Sequence, residues 1–422
     1  MSKIPRLAYE AMPPLSVPMR FFLTAPLFGM MAGLLLLIDD AVLVSRWTPG
    51  ALAAVHLFTV GFMLQVMLGA LLQILPVVAG ASFSAPLRIA AFTHGTTSAG
   101  AVGLCWGLGR GQPGILVAGA TLLGLGLAFF LYAAAAALRR APQAQPGSRT
   151  QRDLRLALTG LVVTTVLGLL LAWLLAGGFS MPVELTSLVN LHAGWGWLGW
   201  GGLLLAATSW VVVPMFQVTP VYPARFTSLW APTVLTVLLL WTGAMLSGFD
   251  PLILAVALAL LVLAGAYAGT TLNLLLRTRR TVPDASSRTF RLAMAASIGG
   301  LLALLASFVS DAPHWPVLAG VLILHGGFAS AISAMLYKIV PFLVWLHLTE
   351  ARVKVANVKK LLPEAPIQAQ LRLHGAVLII LLVAVFLPQA GRIAGAAMLV
   401  EFGWLLANIV RVLRVWARAM EP

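Results

Sequence analysis

Cysteine is nearly missing from this chain: there is one, Cys105, set in an apolar run. A lone thiol excludes an intrachain disulfide and any zinc or iron–sulfur site built on cysteine. Charge is scarce too, at 9% of residues, and acidic groups number only 12 against 27 lysines and arginines. What fills the sequence instead is apolar: 60% of the 422 residues are hydrophobic and the mean hydropathy is +0.98. A water-soluble fold cannot hide that much apolar surface, so the composition implies a polytopic membrane protein. The segment from Met1 to Arg20 lacks a compact apolar stretch ending in a small-residue cleavage site, so no removable signal peptide is expected.

Apolar segments of spanning length predict an all-α fold of twelve transmembrane helices, at roughly 21–44, 51–79, 86–108, 113–138, 156–177, 187–215, 227–247, 251–276, 291–310, 315–345, 371–388 and 393–415. Basic residues orient them. Arg139, Arg140, Arg149, Arg152 and Arg155 follow the fourth span, and Arg277, Arg279, Arg280, Arg288 and Arg291 follow the eighth. Arg352, Lys354, Lys359, Lys360 and Arg372 follow the tenth, and Arg411, Arg414 and Arg418 close the twelfth. With Lys3, Arg6 and Arg20 they fall on one face, which the positive-inside rule makes cytoplasmic along with both termini. The opposite face has only Arg46, Arg110 and Arg392, beside Asp39, Asp40, Glu184, Asp250, Asp311 and His314. The net charge of +15 is thus a topology signal and not a nucleic-acid footprint.

The basic connections after the fourth and eighth spans divide a single membrane domain into three pseudo-threefold groups of four helices, over 19–140, 154–278 and 290–418. A motif repeats on the second helix of each group. Gly61, Gly69 and Pro76 share their spacing with Gly199, Ala207 and Pro214 and with Gly326, Ala334 and Pro341, and Lys338 falls where Gln73 does. Each copy has a histidine near its start: His56, His192 and His325. The three helices run in one direction, so their imidazoles are expected to face a common interior in the outer half of the membrane. The small residues would let backbones or a flat cofactor approach closely, and the prolines would kink each helix near its inner end.

A histidine inside a span is costly unless it is paired or ligating. His56, His192 and His325 are therefore candidate metal ligands, the alternative being neutral imidazoles hydrogen-bonded to a neighbouring helix. Aligned on the motif, His325 lies four positions deeper than His56, about 6 Å along the membrane normal. One haem standing upright between the second and tenth spans could take an axial ligand from each. His94, in Thr93-His94-Gly95-Thr96-Thr97, is a further candidate ligand or a hydrogen-bonded core residue, whereas His314, His347 and His374 read as interfacial. Glu401 is either a proton acceptor or a neutral structural acid, and Lys338 either snorkels or reaches helix termini. Arg392 is a candidate partner for haem propionates, with Arg46 and Arg110 as alternatives. Asp39 and Asp40 snorkel or shape a charged mouth. Trp195, Trp197 and Trp200 line a cofactor wall or belong to an interfacial belt.

Twelve spans with histidines on the second, sixth and tenth resemble the catalytic subunit of the haem-copper oxidases. Gly69-Ala70-x-x-Gln73-x-x-Pro76, within His56 to Gly80, and Lys338-Ile339-Val340-Pro341-Phe342 are similar to the oxidase-like membrane proteins of the NnrS family. The resemblance implies a low-spin haem b on His56 and His325, a copper site drawing on His192, a propionate contact from Arg392 and a place in the bacterial inner membrane. The sequence also departs from the oxidases. Thr233 to Gly248 contains no histidine, Gly326-Gly327 follows His325 in place of a second ligand, and no tyrosine stands one turn after His192. A complete proton-pumping oxygen reductase is therefore not expected. The NnrS likeness implies a haem- and copper-containing protein of nitric oxide response, small-gas chemistry or electron transfer, with the lipid bilayer, a small gas such as nitric oxide and an electron-donor protein as partners. Whether it turns over as an oxidoreductase stays open. A secondary transporter and an assembly subunit of a respiratory complex are the alternatives, although transporter repeats are commonly inverted and these share one orientation.

Overall fold

A computed structural model of the chain describes residues 12–141, 149–178, 181–353 and 357–421. Lys3, Arg6 and Lys354 and the side chain of Lys359, which entered the topology reading, lie outside the described residues. The long helices are α1 (Ser16–Ile38), α2 (Pro49–Ala79), α3 (Pro86–Arg110), α4 (Pro113–Arg140), α5 (Arg149–Leu175), α6 (Leu185–Gln217), α7 (Ala224–Ser247), α8 (Asp250–Leu276), α9 (Ala285–Ala306), α10 (His314–Glu350), α11 (Glu364–Phe386) and α12 (Ala390–Ala419). Among the described residues there is no strand, and 11 of these helices are long and apolar enough to cross a membrane. The helix outside that set is α3, where Thr93, His94, Thr96, Thr97 and Ser98 dilute the apolar content. The protein is all-α and suited to multiple membrane crossings.

Several helices begin before the apolar run that predicts them. Hydropathy marks only the part that meets lipid, while capping extends the helix into polar sequence. Asp284 accepts from Ser287 N and starts α9 at Ala285. Thr48 caps Ala51 N and Pro49 takes the first helical position of α2. The first turn of α11 is at Glu364, ahead of the expected 371. That shift has a consequence at the site below.

Each copy of the repeated motif contains a π-helical segment. These are Leu57–Met63 in α2, Trp195–Gly202 in α6 and Val321–Ala329 in α10, and each contains the motif's first glycine. A π turn stores one extra residue and is frequent where a helix must aim a functional side chain. The helices then continue in α geometry through Pro76, Pro214 and Pro341.

The chain forms two compact units, one holding most of α3 together with α4–α8, the other α1, most of α2 and α9–α12. In the second unit α1 lies against α12 with one glycine of each helix at the closest approach. Gly33 and Gly395 bring the two backbones into contact, while Gly29, one turn away, makes room for the Phe402 ring. A Cβ at Gly33 would stand 2.8 Å from the Gly395 carbonyl oxygen. In the first unit the buried carboxylate of Asp153 (α5) accepts from Trp210 Nε1 (α6) at 2.9 Å and from Arg152 Nε at 2.8 Å.

Candidate functional site

The second unit places three ionisable side chains from three helices side by side. His325 comes from the π segment of α10, His374 from α11 and Glu401 from α12, and none is more than 3% exposed. His374 Nδ1 donates to Glu401 Oε1 at 2.5 Å, and His325 Nε2 donates to Glu401 Oε2 at 3.1 Å. The two imidazoles stack with centroids 4.5 Å apart and planes at 18°. Ser330, five residues after His325, donates its hydroxyl to His374 Nε2 at 2.6 Å. In pure α geometry residues five apart point about 140° from one another. The wider π turn narrows that angle, and both side chains reach the same neighbours.

One protonation pattern satisfies this network: an ionised Glu401 accepting from two neutral imidazoles, with the serine hydroxyl on the remaining His374 nitrogen. A carboxylate buried among apolar helices would otherwise be prohibitively costly. The ring of His325 keeps a second nitrogen, Nδ1, which is buried with no hydrogen-bond partner, and the same is true of Ser333 Oγ and Gln370 Oε1 nearby in sequence on α10 and α11. Native interiors rarely leave such atoms unpaired, and each one calls for an explanation.

Chemically, the cluster is a two-histidine, one-carboxylate donor set. One ligand atom from each of His325, His374 and Glu401 lies within 4.8 Å of the others. Three protein ligands with coordination positions left over is the pattern of catalytic zinc and of non-haem iron sites, where the metal polarises or activates a small bound molecule.

An upright haem between His56 and His325 does not fit these residues. The Nε2 of His325 is directed at Glu401. The Phe58 ring lies 6.1 Å from the His325 ring, and Phe58, Phe62 and Phe402 pack together at 5.0–5.9 Å. The glycine notches expected to admit a flat group are filled by side chains: the Phe28 ring at Gly61, and Ala296 and Leu378 at Gly326. His56 Nδ1 meets the Leu52 carbonyl of its own helix at 2.7 Å. The other expected site residues lie elsewhere. His192 Nδ1 faces the Thr164 carbonyl at 3.2 Å, and His192 belongs with His94 to the first unit. Arg392 forms a bidentate pair with Asp40, at 2.8 and 2.7 Å, instead of offering its guanidinium to a propionate. That guanidinium holds the Asp40 carboxyl below the usual carboxylate range. Arg46 lies over the Trp47 ring, and Arg110 ends α3.

His374 is the residue that hydropathy misplaces. With α11 starting at 371 it would be interfacial; with the start at Glu364 it lies ten residues into the helix and is fully buried. The signal was present in Gln370-x-x-x-His374, two polar residues four apart on one helical face. Lys338 reaches a helix terminus, its Nζ donating to Asp284 Oδ2 at 2.5 Å. No family model matches the chain, and no characterised protein matches it significantly.

Proposed function

We propose that the chain is a metal-dependent, multi-pass membrane protein of the bacterial inner membrane, with twelve spans in three groups of four, acting in small-gas chemistry such as nitric oxide handling or in electron transfer. Its centre is the His325–His374–Glu401 cluster. The observation that carries this reading is the convergence of two imidazoles and a carboxylate from three helices, all buried, at ligating distance from one another. Lipid does not tolerate such a group without a return, and metal binding is the return that uses all three side chains at once.

In this reading His325 Nε2, His374 Nδ1 and a Glu401 oxygen would hold a first-row metal, iron or copper, each imidazole then carrying its proton on its other nitrogen so that the Ser330 oxygen accepts from His374 Nε2, and the metal would supply redox chemistry toward a small diatomic. Ser330 fixes the His374 ring through its far nitrogen, as an outer-shell partner does for a ligating imidazole. Phe58 and Phe402 lie beside the His325 ring, with Phe62 packed on both, so the surroundings of the cluster are apolar and suit an uncharged gas. A haem b remains part of the proposal only at a place other than the slot between His56 and His325.

Elemental analysis of detergent-purified protein tests the idea, with the visible and electron paramagnetic resonance spectra before and after addition of nitric oxide. About one equivalent of metal, lost in His374→Ala and Glu401→Gln, supports it. Metal-free protein from metal-replete expression ends it. In that event the titratable cluster favours the transporter alternative, and uptake into proteoliposomes that depends on Glu401 is the measurement to make.

A further inference from the structure

Below the cluster, the interface of α10, α11 and α12 stays polar for a long way. On α10, Ser330, Ser333 and Tyr337 follow His325 down one side and none is more than 4% exposed. On α11, the fully buried Gln370 donates to the Glu401 carbonyl at 3.3 Å. On α12, Asn408 is seven residues beyond Glu401 and fully buried, and its amide donates to the Tyr337 hydroxyl at 3.0 Å. Arg411, toward the arginine-rich end of α12, then donates to Asn408 Oδ1 at 3.5 Å, with Arg414 and Arg418 in the turns beyond it. From Glu401 to Arg411 the rise is about 15 Å, half of a hydrocarbon core.

An apolar seam would pack these helices at no desolvation penalty, so a polar one requires a reason. The direct hydrogen bonds do not supply it. His325 Nδ1, Ser333 Oγ and Gln370 Oε1 are buried along this seam with no protein partner, and buried polar atoms of that kind are ordinarily satisfied by water. The charge at the far end has one sign, and polar residues recur on all three helices from the cluster toward it.

We propose that this seam is a water-containing half-channel leading from the arginine-rich face to the His325–His374–Glu401 centre, giving water and protons access from that side only. On the other side of the cluster the buried residues of the same three helices are apolar, Ile323 on α10, Leu378 and Leu381 on α11 and Ala394 and Met398 on α12, and they give water nothing to bond to. The proposal rests on the cluster being the working centre, and it adds the side from which that centre is wetted.

The near absence of cysteine makes the test direct. In a Cys105→Ala background, Ser333→Cys replaces a hydroxyl by a thiol with little change in size, and Val400→Cys supplies a lipid-facing control one residue from Glu401. Thiolate forms only where water reaches, so methanethiosulfonate ethyltrimethylammonium, a permanent cation that does not cross lipid, added at the arginine-rich face should modify the Ser333→Cys thiol roughly tenfold or more faster than the control. Added at the other face, it should leave both untouched. Hydroxyl-radical footprinting of the unmutated protein should oxidise Tyr337, which tests the same path without any substitution. An unreactive Ser333→Cys thiol together with unoxidised Tyr337, or equal reaction from both faces, overturns the half-channel. Labelling does not depend on bound metal and metal content does not depend on labelling, so each measurement can fail without the other.

Discussion

Replacing Glu401 by glutamine separates the charge of the cluster from its shape. Glu401 is fully buried and accepts from His374 at 2.5 Å and from His325 at 3.1 Å. A hydrogen bond to a charged group contributes about 1.5–3 kcal/mol, against about 0.5–1.5 kcal/mol for a neutral pair, so the amide weakens the two contacts by about 2–3 kcal/mol together. It also removes a buried charge whose desolvation costs several kcal/mol. The new amide N–H is accommodated if His374 moves its proton to Nε2, where the Ser330 oxygen can accept in place of donating. These effects oppose each other at similar size, and with both proteins stripped of metal by a chelator Glu401→Gln is expected to unfold within about 1 kcal/mol of the wild type. Glu401→Ala lacks any acceptor and strands both imidazole N–H groups; it should lose about 3–5 kcal/mol. Denaturant titrations in one detergent, with matching slopes, measure both values. If Glu401→Gln falls as far as Glu401→Ala, the carboxylate is held by a cationic imidazole, and the assignment of two neutral rings is refuted.

Three further outcomes follow from the packing. Lys338→Met takes the partner from a part-buried Asp284 and should cost about 1–2 kcal/mol, seen as faster amide exchange in the first turn of α9. Gly33→Val forces a side chain against the Gly395 carbonyl and should cost about 1–3 kcal/mol, whereas Gly375→Ala, which enters open space, should leave the melting temperature unchanged or raised. The carboxyl of Asp40 is lowered by Arg392, so its contribution is present above the ordinary aspartate range and is lost as pH falls through the lowered value. The pair is exposed, so acid titration of Arg392→Met should differ little from wild type above that range and converge with it below.

The all-α membrane architecture was legible because lipid imposes its signature on every span: long apolar runs with arginines gathered between them. The short motif was legible as well, since Gly61, Gly199 and Gly326 each fall inside a π segment. Glu401 stood out as an acid far from either end of its run. Its partners did not, because a pairing across helices is encoded in no local spacing. His374 was hidden by a helix start that capping, and not hydropathy, determines. His56 and His325 were paired on equal footing by their motif, while the side chains around them, Phe58 and Phe402 above all, decide which neighbour each ring meets.

The π segments act as built-in phase offsets. If Val321–Ala329 wound as ordinary α-helix with no residue removed, everything below it would swing by about 100°. Ser330, Ser333 and Tyr337 would then rotate off the α11–α12 side while α10 kept its length and its apolar character. One surplus residue, invisible to any count of hydrophobicity, thus sets the direction in which half a transmembrane helix looks.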